Sequence, residues 1–203
     1  MIARRSLIAL LGVLAVARAP RAGETAASAL EPIHAFYDVL LGVMKEGQQL
    51  GFAGRRDRLA PTIRRTFDFP LMTRLMVGQQ WAGLSPEQQQ QLVASFSAFS
   101  IATYANRFDD YSGEEFKTAD EPTPVATGDT IVKTQLVLNT GETVELDYLM
   151  RVDGGRWQAI DVYLSGTVSE LATRRSEFSS IMRRSGPDAL VEMLQRKVAE
   201  LSS

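Results

Sequence analysis

Few side chains in this sequence could carry covalent chemistry, and their types narrow the options quickly. The chain has one histidine, His34, and no cysteine. Thiol catalysis, cysteine metal sites and disulfides are therefore excluded. Zinc would need an unusual all-carboxylate site. A Ser-His-Asp hydrolase would have to work through His34, which falls in the first turn of an expected helix and reads as a surface or capping residue. No Gly-x-Ser-x-Gly elbow and no glycine-rich phosphate loop occurs. Carboxylates remain. Asp147 and Asp161 fall on two expected neighbouring strands, with Tyr148 and Tyr163 beside them. A curved sheet under helices could set an aspartate base against a tyrosine donor, as ketosteroid-isomerase-like cone folds do. Alternation sends Asp147 to the polar face and Tyr148 to the buried one. Asp161 shares parity with Trp157, Ala159 and Tyr163, so it is the sharper candidate. Its plainer role is a strand-end aspartate that pairs with an arginine or caps a turn.

Arginines form a second group. Arg55, Arg56, Arg58, Arg64 and Arg65 mark one expected helix, and Arg174, Arg175, Arg183 and Arg184 another. They suit a solvated face with i,i+4 pairing, such as Arg174 with Glu170. They also suit a collar that meets lipid headgroups or an anionic partner.

The elements that must position these residues are legible from periodicity. Leu30, Ile33, Phe36, Tyr37, Leu40, Leu41 and Met44 recur at helical spacing between Ala29 and Ala53, with Pro32 in the first turn. A second helix is expected from Arg55 to Phe67, and a short third one starts at Pro70. Ser85-Pro86-Glu87-Gln88 is a helix start: the serine can cap and Gln88 can answer it. The long helix that follows carries a stripe from Leu92 to Phe108. Beyond Tyr111 the period changes to two. Strands are expected at Glu115 to Ala119, Thr130 to Leu138, Val144 to Val152 and Arg156 to Leu164. Asn139-Thr140-Gly141 and Asp153-Gly154-Gly155 supply the turns. Helices return from Val168 to Arg184 and from Pro187 to Leu201, parted by Ser185-Gly186-Pro187. The sum is one α+β domain: N-terminal helices, a twisted antiparallel sheet of about four strands and two C-terminal helices.

The first residues read as a leader. Arg4 and Arg5 precede an apolar run from Leu7 to Ala17, shorter than the about 20 residues that span a bilayer. Small-x-small patterns place cleavage after Ala17, Ala19 or Ala22. This divides the chain into a signal peptide at 1–22 and one domain at 23–203. Four of the 22 basic residues precede Ala22 and none of the 24 acidic ones does, so the body carries a net charge of −6. An acidic body lacks the basic patch that nucleic acid demands and does not favour passive adhesion to anionic membranes.

The run Asp161-Val162-Tyr163-Leu164-Ser165-Gly166, followed by Thr173-Arg174-Arg175-Ser176-Glu177-Phe178, resembles the C-terminal signature of the MlaC and toluene-tolerance family of periplasmic phospholipid-binding proteins. Thr66-Phe67-Asp68-Phe69-Pro70-Leu71-Met72 resembles that family's Phe-Asp-hydrophobic block. Gly78-Gln79-Gln80-Trp81 resembles its Gly-x-x-Trp, and Leu84-Ser85-Pro86-Glu87-Gln88 its helix start. The similarity runs from about Pro32 to Leu201. Two departures, Ser165-Gly166-Thr167-Val168 at the strand end and Thr173-Arg174-Arg175 on the helix, sit where the hopanoid-associated HpnM branch also diverges. The resemblance implies a periplasmic carrier without catalytic residues, metal or cofactor. It would move a phospholipid or a hopanoid between inner- and outer-membrane transport complexes without itself inserting stably in a membrane. It also implies an apolar cavity between helices and sheet. The candidate lining is Phe69, Leu71, Met72, Leu75, Met76, Trp81, Phe96, Phe99, Tyr104, Tyr148, Met150, Val162 and Leu164. Methionine suits such a wall because it reshapes around varied ligands.

Overall fold

The computed structural model describes residues 22–203, with side chains from Ala29 onward. The leader expected at 1–22, with its cleavage points at Ala17 and Ala19, falls almost wholly outside the described residues. Helix α1 (Ala22–Lys45) buries Ile33, Phe36, Tyr37, Leu40 and Met44 of the expected stripe, with Val43 beside them, while Leu30 and Leu41 stay half-buried. It stops earlier than expected, and the chain re-enters helix at once as α2 (Gly47–Thr66). The second break lies inside α2, where Gly51 has φ 59° and ψ 178°. Only glycine adopts that backbone without strain. Helix α3 (Phe69–Val77) is capped by the Asp68 carboxylate, which accepts from the Leu71 N–H at 2.9 Å. A 3-10 turn, Gly78–Gly83, leads to α4 (Pro86–Arg107), which opens with the expected reciprocal Ser85–Gln88 capping box.

The sheet has seven strands rather than about four. They are β1 (Glu115–Thr118), β2 (Thr123–Pro124), β3 (Thr130–Val132), β4 (Thr134–Val137), β5 (Thr143–Asp153), β6 (Arg156–Leu164) and β7 (Val168–Ser169). β5 is the spine: β6 pairs along one edge, and β3 and β4 share the other, all antiparallel. The single strand expected from Thr130 to Leu138 divides at Lys133. At the break the Thr134 hydroxyl donates to the Leu146 carbonyl and its N–H donates to the Asp147 carboxylate at 3.3 Å. Side chains there replace the regular ladder.

A bulge interrupts the β5–β6 pair. Leu149 faces Asp161 while Met150 faces Ala159, which leaves Ile160 over. The expected parity of Asp161 with Ala159 is therefore wrong, because the extra residue reverses alternation between them. Helix α5 (Glu170–Leu201) closes the molecule, with a non-helical Gly186 at φ 79° followed by Pro187. Both expected C-terminal helices are thus present, joined end to end at the expected glycine–proline pair. The inner sheet face, with Val132, Tyr148, Met150, Ala159 and Val162, packs with all five helices into one core.

Candidate functional site

Between the helices and the inner sheet face lies an apolar cavity of about 120 Å³. Helix periodicity explains its walls. On α3, Phe69, Met72 and Met76 share one face and point inward. On α4 the residues facing the cavity are Phe96, Ser100, Thr103, Tyr104 and Arg107, followed by the C-cap Phe108. α1 contributes Tyr37 and Leu40, and Phe67 comes from the link into α3. The sheet supplies Phe116, Leu146, Tyr148, Val162 and Leu164, while Glu170, Leu171 and Arg174 stand at the start of α5.

Aromatic rings join these walls. Phe67 meets Phe69 at 6.0 Å, Phe69 meets Phe96 at 5.6 Å, and Phe96 meets Phe178 at 5.9 Å. Across the cavity Tyr37 stacks on Phe116 at 4.3 Å, and Tyr104 stacks on Phe108 at 5.8 Å. Such offset and edge contacts stabilise beyond their area burial.

Polarity is confined to two places. One is the mouth, where Arg174 pairs with Glu170 at 3.4 Å and lies 4.8 Å over the Phe99 ring. Exposed Arg107 stands nearby with Ser100 and Thr103. The other is a row of hydroxyls in the wall. Tyr37 lies 2.5 Å from Thr134 and 3.1 Å from Tyr148, which in turn meets Tyr104. Burial pushes the Tyr37 phenol up to about 12 and drives those of Tyr104 and Tyr148 upward as well. All three therefore stay protonated at neutral pH.

Eight of the thirteen expected lining residues reach the cavity: Phe69, Met72, Met76, Phe96, Tyr104, Tyr148, Val162 and Leu164. Leu71, Leu75, Trp81, Phe99 and Met150 do not. Leu71 and Leu75 form a second, half-exposed stripe of α3. Phe99 lies under Arg174 and Lys197. Trp81 packs on the core from the 3-10 turn, and Met150 is wholly enclosed in core. The lining residues that sequence reasoning passed over include Tyr37, Phe67, Phe116 and Leu146. Each was readable as inward-facing, but no local signal separates a cavity wall from filled core.

Asp161 is a brace. It is 6% exposed and accepts from the Val162 N–H at 2.8 Å, the Leu171 N–H at 3.0 Å and the Ser169 hydroxyl at 2.5 Å. It ties the end of β6 to the start of α5, and it is not among the cavity's lining residues. Its hydrogen bonds go to Val162, Ser169 and Leu171 rather than to the tyrosine that a cone-fold enzyme would set against it. Arg55 also turns inward, away from any collar, and donates to the carbonyls of Ala105 at 2.8 Å and Gly47 at 2.9 Å. Of the arginines singled out from sequence, only Arg174 borders the cavity. His34 is exposed on α1. Among the described residues no cluster of His, Cys, Asp or Glu could hold a metal ion, and no helix is long and apolar enough to cross a membrane.

An aromatic cavity walled by helices on one side and a curved sheet on the other defines an α+β fold arranged around an apolar ligand space. The MlaC protein family model matches residues 35–196, and the chain belongs to that family. A solved structure with the same fold is a phospholipid-binding protein from Ralstonia solanacearum in complex with a phospholipid. The two share 25% identity and a TM-score of 0.74, over 87% of this chain and 100% of that one. No curated protein matches.

Proposed function

We propose that this protein is a periplasmic lipid carrier, cut from a leader at 1–22, whose domain at 23–203 holds the apolar part of a phospholipid or hopanoid. The observation that carries this reading is the cavity: its walls are aromatic and aliphatic, and its charged residues stand only at the mouth. Removing apolar lipid surface from water stabilises the complex by about 25 cal/mol per Å². The membership of the MlaC family and the phospholipid bound in the Ralstonia solanacearum structure support the same reading. Arg107 and Arg174 would meet a headgroup phosphate, Arg174 by exchanging Glu170 for the lipid. Loading and release then occur at inner- and outer-membrane transport complexes, with no covalent step. The strand-end and helix departures near Ser165 and Thr173 favour the HpnM branch and hence hopanoid cargo.

Mass spectrometry of organic extracts from natively purified protein tests the proposal. Lipid in stoichiometric amount is the expected result, and its loss is expected in Met72→Trp, which fills the cavity while keeping the fold. Protein that is lipid-free and also fails to extract lipid from vesicles would sink it.

A further inference from the structure

The mouth of the cavity is lined by charged side chains of both signs, and they do not balance. Arg174 and Glu170 sit one turn apart on α5 and pair at 3.4 Å, while Arg107 borders the same cavity from α4. The pair is mostly withdrawn from solvent, with side chains 23% and 33% exposed. At the start of α5 the N–H groups of Leu171 and Ala172 are already taken, by Asp161 at 3.0 Å and the Ser169 hydroxyl at 2.9 Å. An anionic group at the mouth is therefore met by the arginines. Once Arg174 turns to that anion, Glu170 loses its partner and faces a like charge. Leaving a partly buried carboxylate in that state costs free energy. A cation on the guest removes the cost by taking the place that Arg174 gives up.

We infer that the mouth selects a lipid whose head carries a primary ammonium beside its anionic group, the ammonium seated on Glu170 and the anion on Arg174 and Arg107. This rests on the lipid-carrier reading and extends it from the apolar body to the head, whichever apolar body the cavity takes. An ethanolamine-type phosphate exchanges one ion pair for two and strands nothing. A choline-type head brings the charge without an N–H to donate, so it gains less. A glycerol-type head brings the phosphate alone and leaves Glu170 opposed. As a first-turn acid Glu170 would favour the helix dipole with any guest. Only the seating role ties it to the chemistry of the head.

The test is competition for delipidated protein among phosphatidylethanolamine, phosphatidylcholine and phosphatidylglycerol of identical acyl chains. The lipids are presented in equimolar mixed vesicles, and retention is read by native mass spectrometry. Wild-type protein is expected to retain the ethanolamine lipid about fivefold over the glycerol lipid, the upper worth of a solvent-screened ion pair. The choline lipid should fall between them. Glu170→Gln should erase the preference while total bound lipid stays unchanged. Glu177→Gln breaks a second ion pair of α5, with Lys197 at 3.0 Å, and should leave the preference as in wild type. Circular dichroism establishes that each variant folds, and the wild-type competition stands without them. Equal retention of the three lipids by wild type overturns this inference and leaves the lipid reading intact. So does a preference that survives Glu170→Gln, or one that Glu177→Gln erases as well. Retention of none of the three overturns the inference too, and a lipid-free native preparation then removes the lipid reading with it.

Discussion

The two walls of the cavity are held by different physics. The sheet wall is fixed by directed bonds: Thr134 clips β4 to β5, Asp161 clips β6 to α5, and the tyrosine row ties both to α1. The wall formed by α3 and α4 is held by packing, with Met72, Met76, Phe69 and Phe96 meeting through apolar contact. Directed bonds give few acceptable geometries, whereas methionine side chains give many. The pairing suits a cavity that must fix one side of a guest and adapt to the other.

Mutations should expose that contrast. The largest effect is expected at Asp161. Asp161→Ala strands one buried and one part-buried N–H group and a hydroxyl, and should lower stability by about 3 kcal/mol in urea denaturation. Asp161→Asn keeps one acceptor and should recover part of the loss. Next is alkaline sensitivity. The Tyr37 phenol titrates near 10.0 when unfolded and at about 12 when folded, so its contribution is complete below pH 10 and fades as pH rises toward 12. Tyr37 is expected to account for about 2.5 kcal/mol of the alkaline loss, so Tyr37→Phe should lose less than wild type when urea curves are compared across that range, the remainder coming from the raised phenols of Tyr104 and Tyr148.

On the other wall Met76→Ala should cost about 2 kcal/mol, the low end for a buried methionine because the residue borders space already present. Met76→Leu should cost less than about 1.5 kcal/mol. If Met76→Ala proved costlier than Asp161→Ala, the contrast between the walls would fail.

The smallest effect lies outside both. Arg151 grips Asp129 with two bonds, of 2.7 and 2.6 Å, and holds its carboxyl below the ordinary 3.8. That contribution is present above pH 3.8 and disappears as pH falls through the lower folded value. Arg151 is 40% exposed, so solvent screening limits the gain to about 1 kcal/mol. Thermal melts of wild type and Asp129→Asn should converge at low pH.

Local pattern carried the fold further than the site. The capping box at Ser85, the alternation of β5 and the glycine–proline joint at Gly186 are set by near neighbours, so they could be read directly. The bulge at Ile160 could not be, since alternation assumes a regular ladder and one extra residue inverts it. Nor could the division of the strand at Lys133, because it depends on Leu146 and Asp147 across the sheet. On α3 the stripes Met72–Met76 and Leu71–Leu75 are equally apolar, and only the docked partner decides which faces inward. Arg55 and Arg174 likewise look alike in sequence, but one ends under α4 and the other at the mouth.

The span of the Tyr37 contacts bears on the order in which the chain folds. Tyr37 meets Thr134 across 97 residues and Tyr148 across 111. Closing loops of that length carries an entropy cost that rises with the logarithm of their size, and contacts between distant residues slow folding. Helix α1 can form early from its own pattern, yet its tyrosine hydroxyl finds no partner until β4 and β5 have been made. The directed side of the cavity is therefore finished near the end of folding. Until then the aromatic interior stands open to whatever the unfinished chain encounters.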